Sequence, residues 1–203
     1  MSVSPERFDL RTIAPRPWKN GAGLTREIAF GGTNPVDFDW RISVAEVERS
    51  APFSAFSGVD RCILLLRGAG MRLRSAGDAE PATRPAIDHA LTTPLAPFRF
   101  AGEVPLAATL VDGPSSDFNV MTRRGVWRSE VCIVNTACRL RPADVTLAMC
   151  IQGTWKIEGM TLAAMQGLLL RLPPGVLLTL PPGEGVGAIA TLLVVHLDRE
   201  PPR

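Results

Sequence analysis

Ile63-Leu64-Leu65-Leu66-Arg67-Gly68-Ala69-Gly70-Met71-Arg72-Leu73 decides the fold, because the chain repeats it in outline as Ala148-Met149-Cys150-Ile151-Gln152-Gly153-Thr154-Trp155-Lys156-Ile157. Each copy is an apolar strand, a turn at glycine and a second short strand, and such an internal repeat says more than any one segment. The second copy continues through Leu168-Leu169-Leu170-Arg171-Leu172-Pro173-Pro174-Gly175 and Leu178-Thr179-Leu180-Pro181-Pro182-Gly183. Proline cannot continue a ladder and glycine permits the turn, so antiparallel strands that run into Pro-Pro-Gly stop there. Outward from the repeat, 18 Gly and 18 Pro break up the chain and leave little room for long helices. Strands are expected at Thr25 to Phe30, Asp39 to Val47, Arg61 to Leu66, Gly70 to Leu73, Leu106 to Val111 and Val126 to Asn135. Five more follow at Val145 to Ile151, Thr154 to Glu158, Gly167 to Leu172, Val176 to Leu180 and Ala188 to Leu197. The pattern is all-β and fits two jelly-roll β-barrels packed side by side, residues 1–124 and 125–203. A single larger sandwich is the other arrangement it allows.

Composition narrows the chemistry. At 203 residues a compact chain buries roughly 70% of its unfolded surface, enough for a self-sufficient core. A formal charge of +2 with interspersed signs argues against a nucleic-acid partner. Twenty of the 22 basic residues are Arg, with Lys19 and Lys156 the two lysines. Cys62, Cys132, Cys138 and Cys150 show no C-x-x-C spacing and sit in or beside apolar runs, where cysteine behaves as a small hydrophobe. The two histidines are 107 positions apart. His196 follows Leu192-Leu193-Val194-Val195 and reads as a hydrogen-bonded core or edge residue, and His89 falls in a Pro/Ala-rich stretch, Ser75 to Pro97, that reads as a solvated loop. No metal site and no cofactor are therefore expected. Met1 to Leu10 carries Glu6, Arg7 and Asp9 without an apolar run, and Val186 to Leu197 is too short to span a bilayer. The expectation is a soluble, cytoplasmic chain with no membrane partner and a frayed tail, Arg199 to Arg203.

Polar residues collect in the N-terminal half. In Pro17-Trp18-Lys19-Asn20-Gly21-Ala22-Gly23-Leu24-Thr25-Arg26-Glu27-Ile28, a lysine and an asparagine precede two glycines and a strand. The glycine amides either form an anion-binding nest or serve a tight turn carrying a surface lysine. Along Asp39-Trp40-Arg41-Ile42-Ser43-Val44-Ala45-Glu46-Val47, period-two alternation puts Trp40, Ile42 and Val44 on one face. Arg41, Ser43 and Ala45 take the other face, lining a barrel mouth or facing solvent. Ala51-Pro52-Phe53-Ser54-Ala55-Phe56-Ser57-Gly58-Val59-Asp60-Arg61 brings two aromatics and a guanidinium together, which can wall a pocket or plug a barrel end. Asp112 to Arg124 reads as a further turn, carrying Asp117 and Asn119.

Together Trp18-Lys19-Asn20-Gly21-x-Gly23-x-Thr25-Arg26-Glu27-Ile28, Trp40-Arg41-x-Ser43-x-Ala45, Pro52-Phe53-Ser54-x-Phe56-x-Gly58-x-Asp60-Arg61 and Asp117-Phe118-Asn119-x-Met121-x-Arg123-Arg124 resemble the signature blocks of the HutD/Ves family. Phe98-Arg99-Phe100-Ala101-Gly102-Glu103 resembles a fifth, looser block. The resemblance covers residues 17 to 124 and implies a bicupin without the usual metal ligands. HutD members accompany histidine-degradation genes and are thought to govern that pathway by binding a small intermediate, and Ves members are linked to environmental stress. No catalytic mechanism comes with the family.

The residues carried over are Trp18, Lys19, Asn20, Arg41, Ser43, Phe53, Ser54, Phe56, Arg61, Asp117 and Asn119. They imply a ligand-binding site for a small anionic metabolite, with urocanate and formimino- or formyl-glutamate as candidates. Arg41 and Arg61 would take a carboxylate, Lys19 would add charge, and Asn20, Ser43, Asp117 and Asn119 would hydrogen-bond polar groups between Trp18, Phe53 and Phe56. Ala22 and Ala51 stand where the family prefers glycine and would stiffen their loops. The alternatives are a metal-independent isomerase, lyase or hydrolase using Lys19 as base with Asp117 as its partner, and a purely protein-binding regulator. The C-terminal half is expected to be mainly structural and to offer a homodimer surface if its apolar strands are exposed.

Overall fold

The computed structural model describes residues 5–75, 86–157, 159–171, 178–180 and 190–201. Apart from one short 3-10 turn at Leu10–Thr12, the regular structure among them is all strand. The first eleven strands are β1 (Glu6–Asp9), β2 (Arg16–Pro17), β3 (Gly23–Gly32), β4 (Phe38–Val47), β5 (Ala51–Pro52), β6 (Val59–Arg67), β7 (Met71–Ser75), β8 (Asp88–Leu91), β9 (Phe98–Ala101), β10 (Leu106–Leu110) and β11 (Ser115–Arg123). The rest are β12 (Trp127–Val134), β13 (Cys138–Leu140), β14 (Val145–Gln152), β15 (Thr154–Ile157), β16 (Met160–Ala163), β17 (Gln166–Leu170), β18 (Leu178–Leu180) and β19 (Thr191–Arg199). No helix among the described residues is long and apolar enough to cross a membrane.

The chain divides into two compact units. One is residues 14–124, where β2-β3-β4-β11-β6-β9 form a six-stranded antiparallel sheet and β5-β10-β7-β8 a four-stranded one. Between the two sheets lie Val47, Ile63, Leu65, Met71, Leu73, Leu91, Phe100, Leu106 and Ala108. The repeated glycine turn carries the chain from β6 in one sheet to β7 in the other, a layer-changing step typical of jelly rolls.

Register in the larger sheet explains how its interior is graded. Ala45 and Leu65 flank Asp117, Ser43 and Ile63 flank Asn119, and Arg41 and Arg61 flank Met121. Side chains alternate along a strand, so all nine share the inner face. That face runs from Val47, Leu65 and Ile63 at its dry end to Arg41 and Arg61 at its polar end. Trp40, Ile42 and Val44 take the opposite face and are buried, as the alternation of this segment requires.

The second unit combines residues 1–13 with 125–203. Its main sheet has the order β1-β17-β14-β19-β12, with β13-β18 and β15-β16 as two-stranded pairs. A core of Ala148, Cys150, Trp155, Ile157, Leu162, Leu168, Leu170, Leu192 and Val194 fills it. His196 is buried there, its Nδ1 3.1 Å from the Thr146 hydroxyl, as expected of a core histidine.

Several sequence expectations need correction. β1 pairs with β17 through Glu6↔Leu169 to Asp9↔Gln166, so residues 1–13 group with 125–203 and not with 14–124. Asp112 to Arg124 is mostly the central strand β11 rather than a turn. The stretch expected as a loop contains β8, and His89 is half-buried, its ring stacked on Phe98 with centroids 3.7 Å apart. Arg199 is not frayed: it ends β19, and its backbone N–H donates to Asp144 at 2.8 Å. Both Pro-Pro-Gly turns lie outside the described residues. Among the described residues the large exposed hydrophobics are Val36, Val111 and Val126.

Candidate functional site

The polar end of the 14–124 unit opens into a cavity of about 680 Å³. Ten of the eleven candidates line it, namely Trp18, Lys19, Asn20, Arg41, Ser43, Phe53, Ser54, Phe56, Arg61 and Asn119. Arg16, Pro17, Thr25, Val36, Ala45, Pro52 and Met121 complete the wall. Four cations and no carboxylate thus face the space. Ala45 lies on the face that the strand alternation assigned to a barrel mouth, and Met121 could have been found by the same alternation in β11, whereas Arg16 and Val36 carry no local signal.

Arg61 is the most constrained of these residues. It is 6% exposed, and its guanidinium carbon lies 5.2 Å from the Phe53 ring, 5.5 Å from Phe56 and 5.1 Å from Phe100. Three aromatic faces around one cation replace part of its lost hydration through cation–π attraction. Nη1 donates to the Ser54 carbonyl oxygen at 3.3 Å and Nη2 to Asn119 Oδ1 at 2.6 Å, while the buried Nε has no partner. Since a guanidinium has five N–H donors, most of its capacity is uncommitted. Burial pulls its pKa down to about 10, with Asp117 opposing the shift and Arg41 adding to it, so Arg61 stays charged at neutral pH.

Asp117 does not line the cavity. It is fully buried behind Asn119, whose side-chain amide donates to Asp117 Oδ1, and Oδ2 has no partner. Burial pushes its pKa up to about 7 against the opposing effects of the Arg61 charge and the Asn119 bond. Of the pair, Asn119 lines the cavity and Asp117 does not. Lys19, by contrast, is exposed and lines the cavity.

The remaining wall is built by local pairing. Arg41 donates to Glu27 at 3.1 Å across β3 and β4, and both are mostly buried. Trp18 Nε1 donates to the Thr25 hydroxyl at 2.8 Å, and its ring meets Phe53 edge-on with centroids 6.3 Å apart. Of the two readings of the glycine pair, the tight turn holds. Gly21, at φ +63°, donates its N–H to the Trp18 carbonyl oxygen at 3.0 Å, and Ala22 N–H is taken by Asn20 Oδ1 at 3.1 Å. The Gly21 and Ala22 amides are thus taken up within the turn. A side chain on Gly23 would stand 2.3 Å from the Glu46 carbonyl oxygen, so this glycine lets β3 approach β4. Neither Ala22 nor Ala51 sits at positive φ, so the alanines found where relatives carry glycine cause no strain. Among the described residues no group of three or more His, Cys, Asp or Glu is placed to hold a metal ion.

Comparison with known proteins places these features in a family. A match to the HutD family extends over residues 10–185. The chain is 35% identical over 163 residues to Protein Ves of Citrobacter koseri, covering 80% of this chain and 81% of that one. HutD from Pseudomonas fluorescens SBW25, solved in a formate condition, superposes with a TM-score of 0.82 at 25% identity over 98% of this chain and all of its own. A conserved protein of unknown function from Pseudomonas aeruginosa PAO1 superposes with a TM-score of 0.77 at 31% identity, covering 96% and 99%. With its all-β, cupin-type halves and its four sequence blocks gathered around one cavity, the chain belongs to the HutD/Ves family.

Proposed function

We propose that the 14–124 unit is a binding site for a small anionic metabolite, held without a metal by the buried Arg61 and by the less buried Arg41, Lys19 and Arg16 around it. The observation that carries this reading is Arg61 itself: a guanidinium 6% exposed, boxed by three rings, with donors to spare on a cavity wall that has no acidic residue. A carboxylate matches the planar fork of such a group and binds it with charge-assisted hydrogen bonds. The volume suits a small metabolite, lying inside the roughly 300–1,000 Å³ usual for ligand pockets.

On this reading the protein acts as a governor of histidine utilization and senses an anionic intermediate of that pathway, with urocanate and formyl- or formimino-glutamate as candidates. Isothermal titration with each compound tests it, using the wild type and Arg61→Ala. Heat of binding from at least one, lost in the variant, is the expected outcome. No heat from any of them, or undiminished binding by Arg61→Ala, overturns the reading.

A further inference from the structure

Behind the cavity wall, Asp117 bonds Asn119 and Asn119 bonds Arg61, all three nearly or wholly shut off from water. The amide of Asn119 can point only one way in this chain, nitrogen to the carboxylate and oxygen to the guanidinium. Asp117 therefore senses the charge of Arg61 through a single intervening side chain. Its second oxygen, fully buried, has no donor. As an ionised group it balances Arg61 and little else.

The surroundings of Asp117 supply no competing charge. Its neighbours on β4 are Ala45 and Ser43, and on β6 Leu65 and Ile63. Arg61 is the charged group that acts on it. Arg41, on β4, acts on Arg61 and is itself paired with Glu27, while Arg16 and Lys19 line the cavity. His89 reaches the site only through a ring stack, on Phe98 and then Phe100, whose centroids are 5.6 Å apart.

We propose that Asp117 is the charge-balancing residue of this site: when a carboxylate docks on Arg61, the ligand takes over neutralisation of the guanidinium and Asp117 takes up a proton. The inference rests on the anion-binding reading above and adds a residue that the ligand never touches. In the free protein the buried set carries one positive and one negative charge. An added anion would leave a net negative charge in a low-dielectric interior, which is costly. A proton from solvent on an Asp117 oxygen restores neutrality, with no bond broken and no other reactant. Asp117 is thus a positioning and proton-linked residue, not a ligand contact.

The direction of the linkage follows. Bound anion raises the Asp117 pKa above its value of about 7 in the free protein, so binding takes up a proton between the two values. Affinity is independent of pH below the free value and weakens about tenfold per pH unit above it, until the bound value is passed. Uptake at pH 7 is about half a proton.

Formate is the probe of choice, since it does not titrate above pH 5.5 and any carboxylate site on Arg61 should accept it. Its dissociation constant is read from the NMR shifts of the Arg61 Nε–H and Trp18 Nε1–H between pH 5.5 and 8.5 at constant ionic strength. The expected result is a constant that rises steeply above neutrality in the wild type and in His89→Gln but is flat in Asp117→Asn. Should Asp117→Asn not fold, the Asp117 carboxyl carbon shift in the wild type must move to higher pKa on adding formate. A flat wild-type profile, a slope that persists in Asp117→Asn, or a carboxyl pKa unmoved by formate overturns the proposal while leaving anion binding intact. No formate effect at any pH removes both.

Discussion

Arg61 donates through Nη2 to Asn119 Oδ1 at 2.6 Å, and this bond holds a guanidinium against three aromatic rings rather than in water. Neither residue would be stable there alone. A buried cation without acceptors is costly, and a buried amide needs both its ends satisfied.

Asn119→Ala should therefore act twice. It strips an acceptor from Arg61 and a donor from Asp117, and should lower stability by about 3 kcal/mol in urea unfolding. Anion affinity should fall at least about tenfold, because the guanidinium loses its fixed orientation. An unchanged urea midpoint would show that the relay carries no load.

Stability should also depend on pH in a particular sense. Asp117 is raised to about 7 in the folded state, so the folded chain holds its proton where the unfolded chain has lost it. Stability from this group is complete below about pH 4 and is lost as pH rises to about 7. Asp9 and Asp88, held low by Arg11 and by Arg72 and Arg74, act with the opposite sign and at more acid pH. Urea midpoints measured from pH 4 to 8 should decline in the wild type, and Asp117→Asn should flatten that decline.

Glu27 neutralises Arg41 across 3.1 Å. Glu27→Gln keeps an oxygen for the guanidinium to bond and removes the charge, so anion binding should tighten about three- to tenfold at low salt. The gain should shrink as salt is added. Titration of the same ligand at two ionic strengths checks both statements.

In the other unit, Trp155 is wholly buried and its indole N–H has no partner. Trp155→Ala opens a large cavity and should cost about 3–5 kcal/mol. Trp155→Phe removes an unpaired donor along with some volume and should cost clearly less. Equal losses in urea unfolding would mean that the N–H is satisfied in solution.

Where the sequence was readable, it was so because a local pattern matched the physical role. Trp40, Ile42 and Val44 alternate with Arg41, Ser43 and Ala45, and the two sets do take opposite faces of β4. Ten scattered polar and aromatic residues converge on one cavity because four separate blocks approach one polar barrel end. Strand β11 escaped because its inner positions are polar: Asp117 and Asn119 look like turn residues unless one knows that they bond each other and Arg61 inside the unit. β1 escaped for another reason. Glu6-Arg7-Phe8-Asp9 is short and polar, and its pairing with β17 crosses most of the chain, so nothing nearby announces it. His89 was misplaced because its partner, Phe98, sits on a different strand that had no pattern of its own.

That same first strand sets an order of assembly. Every strand from β2 to β11 finds its partners within residues 14–124, so this unit can close its ladders as soon as that stretch has left the ribosome. β1 emerges earlier still, yet its partner β17 is made only after that unit is complete. β1 must stay unpaired while the 14–124 unit closes its sheets, and it docks only once β17 has been made. A strand made before that unit is paired after it.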